Sequence, residues 1–267
     1  MGGVKAVILA AGYATRLYPL TLNKPKCLLT VGDRTILDTL CAKLNAARGP
    51  DEIIIVTNAK FFDQLNEWKK KSKSRLPIRV LNDGTTSNDN RLGAIGDLRF
   101  AADQCRINSD ILMMASDNLF DQDLAGFLGL ALSNKEYVTV ALHDIKDKSL
   151  ASKKFGVLEI NQNSEVTGIE EKPEHPKSSL IGMGIYYFPR VSLRLMNEYL
   201  NPALAKRTLE ESSRKGGVNH QDANDAPGHY IRWLLGRLKI FGFLFSGMWY
   251  DIGNLQALEE ANRAFKA

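Results

Sequence analysis

Two groups of residues in this chain have the types and spacing to handle phosphate. The first follows the apolar run Val4–Leu9: a small-residue turn, Ala10-Ala11-Gly12, then Thr15-Arg16-Leu17, and after a loop holding Pro19 and Pro25, Lys26. Small residues at a strand end let backbone N–H groups approach phosphate oxygens closely, and Arg16 and Lys26 place fixed positive charge on either side of the loop. The turn lacks the G-K-[ST] end of a P-loop, and its single glycine does not meet the dinucleotide fingerprint. The second group is acidic. Asp117 follows the run Ile111–Ala115 in Ser116-Asp117-Asn118, and Asp251 lies in Trp249-Tyr250-Asp251-Ile252-Gly253-Asn254, after Ile240–Phe245. A carboxylate at the C-terminal end of a parallel strand stands where open sheets bind ligands. Taken singly, either aspartate also reads as an ordinary cap or turn residue.

No other cluster competes for chemistry. His143, His175, His220 and His229 form no ligand spacing or nucleophile arrangement, and Cys27, Cys41 and Cys105 are odd in number and widely spaced, which reads as core or surface thiols. The net charge of +5 is largely local. Lys69-Lys70-Lys71-Ser72-Lys73-Ser74-Arg75 follows an amphipathic stretch and precedes Pro77, as a solvated helix C-terminus does, so neither nucleic acid nor a membrane is expected as a partner. No run approaches the roughly 20 apolar residues of a membrane span. The start MGGVKAVILAAG enters a strand-like segment without a basic leader, and a cytoplasmic location is expected. A homo-oligomer remains open.

The elements that must position these residues are legible as patterns. Continuous apolar runs at Val4–Leu9, Ile53–Val56, Ile111–Ala115 and Val138–Leu142 predict buried parallel strands. Helical faces lie between them, at Ile36, Leu37, Leu40, Cys41 and Leu44, and at Leu124, Phe127, Leu128, Ala131 and Leu132. Alternation of this kind predicts an α/β fold with a Rossmann-like, mixed and mostly parallel sheet flanked by helices. After residue 143 the rhythm changes. Phe155–Ile160 and Val166–Glu170, separated by Asn161-Gln162-Asn163-Ser164, predict a hairpin. Strands follow at Ile181–Phe188 and Ile240–Phe245, with a helix near Leu193–Leu200, a polar loop near Lys215–Pro227 and a last helix carrying Leu255, Leu258, Asn262 and Phe265 on one side. With 44% hydrophobic residues and no linker or repeat, 267 residues are read as a single domain whose rhythm changes near residue 143.

The segment from Leu9 to Leu29 resembles the signature of the sugar-1-phosphate nucleotidyltransferases, the nucleotide-sugar pyrophosphorylases. The resemblance covers nearly the whole chain and stops at the terminal helix. It implies that backbone at Ala11, Gly12 and Thr15 wraps a nucleotide, that Arg16 and Lys26 contact its triphosphate, and that Asp117 and Asp251 hold Mg²⁺ between nucleotide and acceptor phosphates. Arg16, Lys26 and Asp117 are thereby the expected catalytic residues. Asn82 and Gly93 match the positions that read the base. Gly156, in Phe155-Gly156-Val157, Glu171 and Lys172, before Pro173, and Gly184, in Gly182-Met183-Gly184, match the acceptor pocket. This chain departs from the family in two places: Ala14 stands where a second glycine is usual, and Asn82 where the thymidylyltransferase pattern has glutamine. If position 14 needs a positive φ, alanine is strained there by about 1 kcal/mol or more.

The implied reaction joins an NTP to a sugar 1-phosphate and releases pyrophosphate. The acceptor is already an anion, so catalysis is a matter of positioning and electrostatics rather than of a protein nucleophile. The long polar loop between Asn82 and Gly93 keeps a second pairing open, CTP with a phosphorylated or phosphonate-bearing small alcohol. The resemblance implies a nucleotide-binding half, about residues 1–143, and an acceptor-binding half, about residues 144–267, in which Arg232 and the segment Asp225-Ala226-Pro227-Gly228 are further candidates to touch the acceptor although they align with no motif.

Overall fold

The computed structural model describes residues 3–200 and 226–265. In chain order the strands and helices of the first half are β1 (Val4–Leu9), β2 (Thr30–Val31), β3 (Arg34–Thr35), α1 (Ile36–Ala46), β4 (Pro50–Thr57), α2 (Phe62–Lys71), β5 (Ile78–Asn82), α3 (Ala94–Gln104), β6 (Ile111–Ala115), β7 (Asn118–Phe120), α4 (Ala125–Ser133) and β8 (Val138–Asp144). There follow β9 (Gly156–Ile160), β10 (Val166–Glu171), β11 (Leu180–Phe188), α5 (Arg190–Leu200), α6 (Pro227–Leu234), β12 (Ile240–Phe245), β13 (Trp249–Asp251) and α7 (Leu255–Ala264).

Nine strands form one sheet, in the order β10-β9-β11-β6-β1-β4-β5, with β8 beside β11 and β12 beside β8. The pairs of β1 with β4 and β6, of β4 with β5, and of β8 with β12 are parallel. The antiparallel strand β11 is inserted between β6 and β8, so the two apolar runs that follow one another in the sequence are not neighbours in the sheet. β9 to β12 complete this same sheet, as the second half of the sequence predicts. The predicted hairpin is β9–β10, and Asn161 closes its turn by accepting at Oδ1 from the Asn163 N–H at 2.9 Å.

The pleat of β1 divides the core. Ala6 and Ile8 face α1, α4 and α7, whereas Val7 faces α3, α5 and α6. α1 begins on a reciprocal cap between Thr35 and Asp38, worth about 1 kcal/mol, and buries the predicted face Ile36, Leu37, Leu40, Cys41 and Leu44. That face supports the short 3₁₀ turn Lys26–Leu28, whose Cys27 and Leu28 are buried and whose Lys26 is left pointing up from the core. Burial pushes the Cys27 thiol up to about 12, which makes it a packing residue despite its place next to Lys26.

Two expectations change. Leu255 is 43% exposed, because α7 buries Leu258 and Ala261 while its Asn262 side chain accepts the Gly32 N–H at 3.1 Å. Pro227 opens α6, as proline does at a first helical position, and does not end a loop. Lys215–Asp225 and His220 lie outside the described residues. The basic run does close α2, at Lys69, Lys70 and Lys71.

Candidate active site

The C-terminal ends of β1 and β6 open into a cleft of about 320 Å³ that gathers Ala11, Gly12, Lys26, Gly93, Asp117 and Asp251. From the second half of the chain Gly156, Glu171 and Gly184 line the same cleft. Thr15 and Arg16 are exposed in the 3₁₀ turn Thr15–Leu17 and do not line the cleft, although the Arg16 charge reaches Asp251. Lys172 is exposed just beyond β10 in a left-handed backbone conformation (φ 45°). Asn82 is not brought in. It is exposed at the end of β5, and its Oδ1 turns back to accept the Gly84 N–H at 2.9 Å. Arg232 is exposed on α6 and does not line the cleft.

Ala14, N-terminal to that turn, has φ 48° and ψ 43°. The alanine therefore adopts the left-handed conformation at a cost of about 1–2 kcal/mol instead of altering the turn. At Gly93 the φ of +80° explains a glycine at the entrance to α3. Gly184 is required twice over. Its φ is +71°, and a Cβ there would stand 2.9 Å from Asn118 Nδ2 and 3.0 Å from Ala115 Cβ.

What joins the two aspartates is a two-stranded ribbon outside the main sheet. β13 pairs antiparallel with β7 so that Asp251 is opposite Asn118, and the Ile252 N–H donates to the Asp117 carbonyl at 2.9 Å. Trp249 Nε1 donates to Asn118 Oδ1 at 2.8 Å, while Asn118 Nδ2 lies 3.3 Å from Asp117 Oδ1. The Lys26 ammonium donates to Asp117 Oδ2 at 2.6 Å, with both side chains partly shielded. Burial, and then the Asp117 charge, push the Asp251 carboxyl up to about 6, against the opposing pull of Lys26, Arg16 and Lys172. The fields of all four charged residues therefore meet at Asp251, including Arg16 and Lys172, which do not line the cleft.

The nucleotidyl transferase family matches residues 5–267. This chain belongs to that family. Among its family relatives, the bifunctional protein GlmU of Methanococcus aeolicus is 30% identical over 257 residues, 96% of this chain and 53% of the relative. A glucose-1-phosphate adenylyltransferase of Mycoplasma mobile is 29% identical over 274 residues, 96% of this chain and 65% of the relative. The chain thus spans about half the length of the first nucleotidyl transferase and two thirds of the second. A UDP-glucose pyrophosphorylase solved with UDP-glucose shares the fold at a TM-score of 0.74 and 19% identity, over 98% of its own chain and 99% of this one.

Several further residues of this chain line the same cleft. Arg91, Asp97, Lys154, Tyr186, Trp249 and Gly228 line the cleft. Asp97 is 6% exposed and shares a face of α3 with Ile95, Leu98 and Ala101, so a carboxylate inside an apolar helical stripe was its one available signal. Burial, and then the Glu171 charge, push the Tyr186 phenol above its usual range and keep it a neutral hydroxyl. His143 packs its ring 5.6 Å from that of Trp249, and burial pulls its pKa down, as befits a neutral packing residue.

Gly228 packs on Glu171, since a Cβ on it would overlap Glu171 Oε2; one on Gly156 would stand 2.9 Å from the same oxygen. Glu171 is thus seated between two glycines. Gly228→Ala is expected to displace it and raise the acceptor KM about tenfold, leaving the NTP KM within about twofold. Initial rates with each substrate varied in turn check this, and equal shifts in both constants would show that Glu171 does not belong to the acceptor side.

The raised Asp251 carboxyl has a pH signature. Its folded value lies above the roughly 4 of an unfolded chain, so the folded state holds the proton more tightly. The associated stability is full below about pH 4 and is lost as pH rises through about 6. Melting curves of metal-free protein should therefore show the wild type losing stability relative to Asp251→Asn across that window. Parallel curves would mean that burial and the Asp117 charge do not raise the Asp251 carboxyl.

Proposed function

We propose that this chain is an Mg²⁺-dependent nucleotidyltransferase that condenses an NTP with a sugar 1-phosphate to give a nucleotide-diphosphate sugar and pyrophosphate. The observation that carries the reading is the convergence of the glycine loop, Lys26, Asp117 and Asp251 on one cleft. The relatives add the acceptor class, since the Mycoplasma mobile protein is named for glucose 1-phosphate.

In this reaction an acceptor phosphate oxygen attacks the α-phosphorus in line. The bond from that phosphorus to the bridging oxygen of the β-phosphate breaks, and pyrophosphate leaves. The Ala11–Gly12 backbone and Thr15 hold the phosphates, Gly93 lets the base approach the start of α3, and Arg16 and Lys26 absorb charge on the leaving group. Glu171 takes acceptor hydroxyls, with Gly156 and Gly184 leaving room for the ring, and Lys172 meets the acceptor phosphate. The task for these cations is to let two polyanions meet, which fixed charge in a shielded site does without reorganisation. Asp117 and Asp251 suit a magnesium ion, because they are hard oxygen donors and because a half-buried acid held up near 6 by burial and then by the Asp117 charge is relieved by a cation. When bound, the ion would supply positive charge to the phosphates at the site of transfer.

The test is pyrophosphate release from ATP, CTP, GTP, UTP and dTTP, each with glucose 1-phosphate, mannose 1-phosphate and choline phosphate, with and without Mg²⁺. One NTP turning over with a sugar 1-phosphate only when the metal is present supports the reading. Turnover with choline phosphate alone, or undiminished turnover in EDTA, sinks it.

A further inference from the structure

Two buried polar side chains outside the charged machinery grip the glycine loop from behind. Asn58, immediately after β4 and 0% exposed, donates from Nδ2 to the Ala11 carbonyl at 2.8 Å and accepts the Phe61 N–H at Oδ1 at 3.2 Å. Thr21, 1% exposed, donates from Oγ1 to the Ala14 carbonyl at 2.8 Å, and the same oxygen accepts the Leu17 N–H at 3.0 Å. Both carbonyls belong to trans peptides. In a planar trans unit the C=O and the following N–H point in opposite directions. Anchoring the Ala11 oxygen therefore aims the Gly12 N–H away from Asn58, and anchoring the Ala14 oxygen aims the Thr15 N–H away from Thr21.

A second observation says what those N–H groups face. β1 ends at Leu9, and the Ala10 N–H makes the last sheet-side bond, to Val56 O at 2.8 Å. Among the described residues the N–H groups of 11 to 16 make no hydrogen bond within the chain, although Ala11 and Gly12 line the cleft. A succession of unbonded N–H groups on a turn is an anion-binding concavity, provided that the peptides are held in register.

We infer that Asn58 and Thr21 are positioning residues that orient the Gly12 and Thr15 N–H groups toward the triphosphate before it binds. The inference rests on the nucleotidyl transfer proposed above and goes beyond it, because neither residue lines the cleft. Their contribution is pre-organisation: donors already aimed need no rearrangement when the polyanion arrives. A role confined to folding would lower the melting temperature of the variants without touching phosphate affinity, which separates the two.

The experiment uses the full chain and a base-independent probe, inorganic tripolyphosphate with Mg²⁺, measured by calorimetry, together with KM for the NTP that turns over and for its acceptor. Thr21→Val keeps the shape of the side chain and removes its hydroxyl, and Thr21→Ser restores the hydroxyl. Thr21→Val and Asn58→Ala are each expected to weaken tripolyphosphate binding about tenfold, the scale of one hydrogen bond to a charged group, and to raise the NTP KM alike. The acceptor KM stays in place, and Thr21→Ser returns close to wild type. If Asn58→Ala melts below the assay temperature, the Thr21 pair decides. Wild-type affinity in folded Thr21→Val, or Thr21→Ser as weak as Thr21→Val, overturns the inference. A wild type that binds tripolyphosphate without turning over any NTP sinks the proposed reaction instead, and the affinities still judge Asn58 and Thr21. No binding by the wild type sinks both.

Discussion

Asp117→Asn is expected to lower kcat/KM for pyrophosphate release by about two orders of magnitude or more, at least about 3 kcal/mol of transition-state stabilisation, in a protein that still folds. The substitution preserves shape and removes charge at the point where Lys26, Asn118 and the β7–β13 ribbon meet. Folding should tolerate it, because the Asp117 side chain is 27% exposed and its backbone carbonyl, not its carboxylate, holds the Ile252 N–H. The loss should fall on kcat more than on KM if Asp117 acts on charge that develops during transfer. Steady-state kinetics alongside a melting curve check this. Near-normal turnover would remove Asp117 from the metal site and from catalysis together.

Lys26→Met should cost about as much, 10²–10³ in kcat, for the opposite reason. The lysine supplies positive charge at 2.6 Å from Asp117, and its field also pulls down the raised Asp251 carboxyl. Methionine keeps the aliphatic stem and leaves the acid pair without its nearest compensation. In a fully buried pair that would destabilise strongly, but here the two side chains are 17% and 27% exposed, so water screens the loss to about 1 kcal/mol. The expected result is an enzyme that melts a few degrees lower and scarcely turns over, with Mg²⁺ raising its melting temperature at least as much as in the wild type, since the competing ammonium is gone. Turnover within about threefold of wild type would show that charge on the leaving pyrophosphate is absorbed elsewhere.

Much of this site was visible before any coordinates. The glycine turn and Asp117 each lie within a few residues of a continuous apolar run, and such runs are local signals: β1 and β6 have the predicted boundaries, Val4–Leu9 and Ile111–Ala115. Asn82 shows the limit of that approach. It occupies the matching position at the end of β5, yet its side chain satisfies the Gly84 N–H and turns from the cleft, a choice made by the short polar turn that follows it. Asp97 shows the reverse, a cleft residue with no motif, because the face of α3 that meets the cleft is set by how the helix packs and not by any pattern around the aspartate. Asn58 and Thr21 are similarly silent in the sequence. Their bonds go to backbone carbonyls, and backbone atoms carry no residue-type signal for pattern reading.

The sequence by itself determined the α/β alternation, the strand ends that bear the phosphate-handling residues, and the identity of the two aspartates as candidates. Tertiary structure alone decided that Asp251 reaches Asp117, through a short ribbon formed by β7 and β13, and that β11 enters between β6 and β8. The physical reason is one of range. Hydrophobic periodicity reports which face of an element is buried, whereas strand partners far apart in the chain are selected by backbone hydrogen bonding and packing complementarity, which a linear pattern does not encode.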